Sequence, residues 1–198
     1  MVSFTVYALL SDVDRILKRN DEKLQFHLMK GYVFMKILVF SDSHGNISRM
    51  KDALEAHLPS CKLIIHLGDG GRDIEYLSSL YPEIHVISLK GNGETISRDT
   101  RLFDEMGVRF FCMHGHSYGV KSGIESAATE AKNNGADILL YGHTHVCKIY
   151  EPGSDFDDYK LQTCPAVVGS QPNHKDGTFM GCAITFGEGK PEIVFNKN

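Results

Sequence analysis

No run of about 18 or more apolar residues occurs anywhere in the 198-residue chain, so no segment is long enough to span a bilayer as a helix. The opening stretch MVSFTVYALL is apolar but lacks a positively charged start and a small-residue cleavage site, so a secretory signal is not expected. The expected location is therefore the cytoplasm, with no membrane partner. The five cysteines (Cys61, Cys112, Cys147, Cys164 and Cys182) are odd in number, widely spaced and never paired as C-x-x-C. That argues against a disulfide framework and a zinc knuckle, and for buried thiols in a reducing compartment. Positive charge is not in excess: 21 Lys and Arg against 25 Asp and Glu give a net charge of −4. A broad nucleic-acid footprint is not expected, and Arg49, Arg72, Arg98, Lys121 and Lys132 are scattered without aromatic interleaving. Internal repeats and low-complexity segments are also missing.

What is present is an ordinary globular composition, 42% hydrophobic and 23% charged, of a length suited to one domain. The oddity is ten histidines, four of them in two His-x-His pairs. From Met35 onward, short apolar runs end in Gly/Asp/His/Asn clusters, several followed by helical periodicity. Strands are expected at 36–40, 62–66, 84–88, 108–113 and 136–141. Helices are expected at 46–57, with Asn46 as cap, around 73–80, and at 119–133, stopped by Asn134-Gly135. Beyond them VCKIYE, YKLQT, GTFMGCAITF and PEIVF alternate and read as antiparallel strands. A βαβα half followed by an all-β half implies packed sheets flanked by helices. Residues 1–34 stand outside this scheme. They read either as sequence upstream of a natural start at Met35 or as a helical extension that packs on the domain, with residues 35–198 as the domain proper.

Five short motifs close the apolar runs. Asp42-x-His44 follows the first strand and can bring an oxygen and a nitrogen donor to one cation. Gly68-Asp69 ends the second, where glycine allows a sharp turn and the carboxylate can project over the sheet edge and bridge two ions. Gly91-Asn92 ends the third and offers a neutral oxygen. His114-Gly-His116 and Gly142-His143-Thr-His145 end the fourth and fifth. Each alone is compatible with a turn, and a lone histidine is more often structural; His27, His57, His66, His85 and His174 are read that way, His66 with a supporting position behind Asp69 in reserve. The five together point to a metal site of carboxylate, imidazole and amide donors, suited to Mn, Fe, Zn or Ni.

MKILVFSDSHGN, HLGD, KGN, MHGHSYGVKSG and ADILLYGHTH resemble the motifs of the calcineurin-like metallophosphoesterase superfamily, and within it the small bacterial and archaeal phosphodiesterases related to YfcE. The resemblance runs from Met35 to about Phe195. It implies an α/β fold, a four-layer α/β/β/α sandwich of two mixed sheets flanked by helices. It also implies two divalent metal ions, with manganese first in expectation. By motif, Asp42, His44 and His145 would bind one ion, Asn92, His114 and His143 the other, and Asp69 would bridge them. The implied reaction is hydrolysis of a small phosphodiester by a metal-bound hydroxide.

Two departures stand out. Many superfamily diesterases place a histidine after the motif Asn, and the YfcE-like members usually read Gly-Asn-Cys-Asp; here the run is Gly91-Asn92-Gly93-Glu94. Gly93 has no proton to give, which leaves Glu94 or His116 as the expected proton donor. The Asn-Pro-Gly-Ser run near the last motif is replaced by CPAVVGSQPN (164–173), which alters the substrate-side wall. The alternative is a binding or scaffold module with little catalysis, like the metallophosphoesterase-like subunit of the retromer coat. Family members often assemble as homo-oligomers.

Overall fold

The computed structural model describes residues 35–58, 60–95, 98–146, 149–150, 166–169, 180–186 and 192–197. The expected helix in 1–34 and the YKLQT strand lie outside the described residues. The chain divides into two compact units, Met1–Phe34 and Met35–Asn198, and every element below belongs to the second.

The N-terminal half alternates as expected: β1 (Lys36–Phe40), α1 (Ile47–Glu55), β2 (Cys61–His66), α2 (Gly71–Leu80) and β3 (His85–Ser88). Next come a hairpin of β4 (Thr100–Glu105) and β5 (Val108–Met113), a 3-10 turn at His116–Tyr118, α3 (Glu125–Asn133) and β6 (Ile138–Tyr141). Four further strands follow: β7 (Ile149–Tyr150), β8 (Ala166–Gly169), β9 (Met180–Thr185) and β10 (Glu192–Lys197). One sheet runs β10-β9-β1-β2-β3 and the other β4-β5-β6-β8-β7. Both are mixed: β1, β2 and β3 are parallel, as are β5, β6 and β8, while β9, β10, β4 and β7 pair antiparallel.

Strand alternation builds the layers, because successive side chains point to opposite faces. Ile37, Val39, Leu63 and Ile65 of one sheet pack with Phe110, Cys112, Ile138 and Leu140 of the other in a single buried cluster. The intervening residues Leu38, Phe40 and Ile64 turn outward onto Met50, Ala53 and Leu54 of α1 and Ile74 and Leu77 of α2. On the second sheet Phe111, Met113 and Leu139 turn outward onto Ala127 and Ala131 of α3. The result is the expected four-layer sandwich.

Four details depart from the sequence expectation. β4 was not anticipated, because this edge strand is largely exposed and shows no apolar stripe. α3 starts at Glu125 and not at 119: Gly119 takes a left-handed φ of +64°, which ends the preceding 3-10 turn. Asn46 holds the N-cap position of α1 without making a side-chain capping hydrogen bond. β8 is parallel to β6, so the C-terminal half is not wholly antiparallel, and the CPAVVGSQPN run contributes a strand to the sheet.

Candidate metal centre

The C-terminal ends of β1, β2, β3, β5 and β6 carry the five motifs, so one edge of the sandwich receives donors from both sheets. Backbone hydrogen bonds knit these loops together. Asp42 N–H donates to the Gly68 carbonyl (2.8 Å), His44 N–H to the Asp69 carbonyl (3.3 Å) and Gly142 N–H to the His114 carbonyl (3.1 Å). Asp42, His44, Asp69, His143 and His145 all adopt positive φ, between +44° and +67°. Among the described residues the one other non-glycine in this region is Met106, in the β4–β5 turn. Each such position costs on the order of 1 kcal/mol and persists only when its surroundings impose it, and such strain concentrates at functional sites.

The side chains of these loops converge. Asp42, Asp69, His114 and His143 bring donor atoms within 4.8 Å of one another, and Asp42, His44 and His145 form a second such group. Asp42 is common to both. Its Oδ2 accepts from the His143 backbone N–H (3.0 Å) and from the Ser41 hydroxyl. Its Oδ1 is buried without a hydrogen-bond partner, 3.1 Å from His145 Nε2 and 4.0 Å from His114 Nε2. His114 is fully buried, and its Nδ1 lies 2.8 Å from the Leu67 carbonyl. A carbonyl only accepts, so Nδ1 carries a proton, and Nε2 lies 3.4 Å from Asp69 Oδ2 and 3.1 Å from His143 Nδ1. The unpartnered Asp42 Oδ1 thus faces imidazole nitrogens and a second carboxylate, an arrangement that a cation satisfies. Hard oxygen and imidazole donors suit a divalent first-row metal, so the residues present fit the expected group.

A layer of polar residues behind the ligands completes the site. His66 is fully buried, with Nδ1 accepting from Gly68 N–H (3.3 Å) and Nε2 3.2 Å from Ser43 Oγ. That pattern assigns the His66 proton to Nε2. Ser43 in turn donates to Asp73 Oδ2 (2.5 Å), which also accepts from Gly45 N–H (2.7 Å). Burial lowers the His66 pKa to about 4, in keeping with a ring that must stay neutral to accept at Nδ1. The supporting position held in reserve for His66 is therefore occupied. Ser41, Ser43 and Asp73 were missed by sequence reasoning. The available signal was SDSH directly after a buried strand, with an aspartate in the first turn of the helix that follows β2.

Gly91 has a steric reason for its identity, since a Cβ there would overlap Asp69 Oδ1. Asn92 is exposed on the wall of a cleft of about 880 Å³ that also includes His44, Asp69, Arg72, Gly93 and Glu94. Gly93 faces open space. His116 stands at the edge of the cluster, its ring centroid 5.5 Å from that of His114 and 6.1 Å from that of His143, with Nδ1 unpartnered. Burial and the neighbouring His114 lower its pKa, against an opposing effect of Asp69.

Glu94 does not suit the proton-donor role expected of it. Oε1 accepts from the N–H groups of Gly70 (3.0 Å) and Gly71 (2.6 Å), and Oε2 from those of Asp69 (3.1 Å) and Gly91 (2.8 Å). Burial raises its pKa, but these four donors outweigh that and hold it below the usual carboxylate value. An ionised carboxylate with both oxygens engaged has no proton to deliver.

A two-sheet sandwich with Asp and His donors converging at its strand ends defines a metal-dependent phosphoesterase fold. Residues 35–183 match the calcineurin-like phosphoesterase superfamily domain, and the chain belongs to that superfamily. The probable metallophosphoesterase YsnB of Bacillus subtilis is 28% identical over 137 residues, 68% of this chain and 75% of the relative. A Streptococcus pneumoniae protein described as a predicted phosphoesterase superposes with a TM-score of 0.63 at 18% identity, covering 82% of this chain and 89% of its own. An archaeal phosphodiesterase gives 0.59 at 20% identity, over 82% and 100%. Vps29 of Chaetomium thermophilum gives 0.60 at 15%, over 84% and 97%. These three structures are similar in fold. Among the described residues no helix is long and apolar enough to cross a membrane.

Proposed function

We propose that this chain is a binuclear-metal phosphodiesterase acting on a small phosphodiester. The observation that carries the reading is the meeting of two Asp/His groups, Asp42, Asp69, His114 and His143 in one and Asp42, His44 and His145 in the other, around a buried Asp42 oxygen with no hydrogen-bond partner. In this reading Asp42, His44 and His145 hold one ion, and Asn92, His114 and His143 hold the other. Asp69, which lines the cleft with His44 and Asn92 and lies beside His114, would be shared between them. Two divalent ions, manganese first among the candidates, would supply an activated water and neutralise the phosphoryl oxygens. The chain's own residues fix the donors, and the cleft volume suits a small ligand. His116 is the remaining candidate to pass a proton to the leaving group, because Gly93 carries no side chain and Glu94 is engaged elsewhere. With no strong donor beside the cleft, substrates with good leaving groups are favoured, and alkyl diesters should turn over slowly.

The test is metal content followed by hydrolysis of bis(p-nitrophenyl) phosphate with added Mn. Close to two Mn per chain are expected, with activity at least about 100-fold lower in Asp69→Asn. Absence of bound metal, or of hydrolysis under every divalent cation tried, would sink the reading. The fold similarity to Vps29 and the side-chain gap at Gly93 favour a second reading, a docking module. Metal binding without hydrolysis would select it.

A further inference from the structure

We infer that Glu94 is a positioning residue for one half of the metal centre, tying the loop that presents Asp69 to the loop that presents Asn92. The inference rests on the binuclear reading above. Glu94 reaches back across the cleft wall to Asp69, Gly70 and Gly71, and also accepts from Gly91 beside Asn92. Two of those N–H groups belong to the β2–α2 connection, one to the first residue of α2 and one to the loop after β3. Glu94 therefore holds two loops at once, through the backbone of one expected ligand and the backbone neighbour of another. The first N–H groups of α2 have no intrahelical partner, and its N-terminus favours an anion, so a carboxylate fits there for a reason independent of any metal. The seating is close: a Cβ on Gly71 would come within 3.0 Å of Glu94 Oε1.

The other half of the centre has its own tie. Asp73 holds the loop carrying Asp42 and His44 through Ser43 Oγ and Gly45 N–H. The two carboxylates are not interchangeable. The Asp73 carboxylate bonds to the β1 loop, and the Glu94 carboxylate bonds to the loops after β2 and β3. Loss of Glu94 should therefore loosen Asn92 and Asp69 together, while the Asp42, His44 and His145 group, joined to the Asp69 loop by two backbone bonds and held separately by Asp73, loosens less. Residues behind metal ligands commonly tune affinity by about 10- to 100-fold. Asp69 serves both ions in that reading and Asn92 only one, so a shift of that size at the Asn92 ion and a smaller one at the other is what the geometry implies.

Glu94→Gln is nearly isosteric but turns an –NH2 toward two of the four N–H donors, so one pair must break. The experiment titrates Mn into the metal-free full chain by calorimetry and records electron paramagnetic resonance of the loaded protein, with circular dichroism to confirm folding. Wild type should take two Mn and give a spin-coupled signal. Glu94→Gln should lose about 10- to 100-fold at one Mn and clearly less at the other, and show an uncoupled signal at one equivalent. Glu94→Asp, with the same charge and shorter reach, should fall between them. Asp73→Asn should also weaken one ion, and the ion left in place should give a spectrum different from that left in Glu94→Gln. Equal weakening of both ions in Glu94→Gln, or no change in either, would overturn the inference while leaving the binuclear reading intact. A wild type that binds a single Mn would overturn both. Should Glu94→Gln not fold, a Glu94→Asp variant with two fully wild-type ions would overturn the inference on its own.

Discussion

At the scale of single residues, the site is built from atoms whose partners are settled before any ligand arrives. Asp42 Oδ2 and His114 Nδ1 are spent on the protein itself, which aims the remaining oxygen and nitrogen into the pocket. His66 extends the same logic one layer back and carries a pH prediction. Its folded-state pKa is lowered from 6.5 to about 4 by burial, so its contribution to stability is complete above about 6.5 and is lost as the pH falls toward 4. The full loss is on the order of 3 kcal/mol. Urea unfolding of the metal-free protein at pH 7 and pH 5 should show wild type losing more stability on acidification than His66→Gln. Equal losses would place the sensitivity elsewhere. The six aspartates and histidines that meet in the two donor groups were legible in the sequence because Asp-x-His, His-x-His and Gly-Asp name their own donors. Ser41, Ser43 and Asp73 were not, because a serine or aspartate near a turn looks the same whether it faces solvent or lies buried behind a ligand loop.

Elements were legible in proportion to their apolar pattern. β1, β2, β5 and β6 are buried on both faces over most of their length and read as apolar runs, and each begins and ends close to its expected limits. β4, half-exposed at a sheet edge, left no such trace. The late start of α3 was hidden because Gly119 and Gly123 sit in a stretch whose periodicity continues into the helix, and periodicity does not report a left-handed break. α3 itself packs through alanines: Ala127 and Ala131 are fully buried against the second sheet. Small residues on that face set a close approach of helix to sheet, which leaves no space for larger side chains. Ala131→Leu should cost about 1–3 kcal/mol by overpacking, read as a lower urea midpoint with an unchanged slope. A neutral result would mean the helix rests less tightly than its burial implies.

At the scale of the whole domain, the centre draws on both sheets. Asp42, His44, Asp69 and Asn92 follow strands of the first, and His114, His143 and His145 follow strands of the second. An ion held between them joins the two layers at one edge, and binding only the folded state raises stability by mass action. Added Mn should therefore raise the melting temperature, and a chelator should reverse the rise. In Asp69→Asn the rise should shrink. A melting temperature indifferent to Mn would mean that the donors do not hold an ion with useful affinity.

That placement has a consequence in time. None of the described donor groups can form until β6 lies beside β5 and both have met the first sheet, because the loop carrying His143 and His145 comes after nearly three quarters of the chain has been made. A chain emerging from the ribosome, or one clipped or half unfolded, holds the same aspartates and histidines but not their meeting place. On the proposed reading, hydrolytic capacity would be coupled to completion: it would appear with the last docking step and disappear with the first sheet to separate.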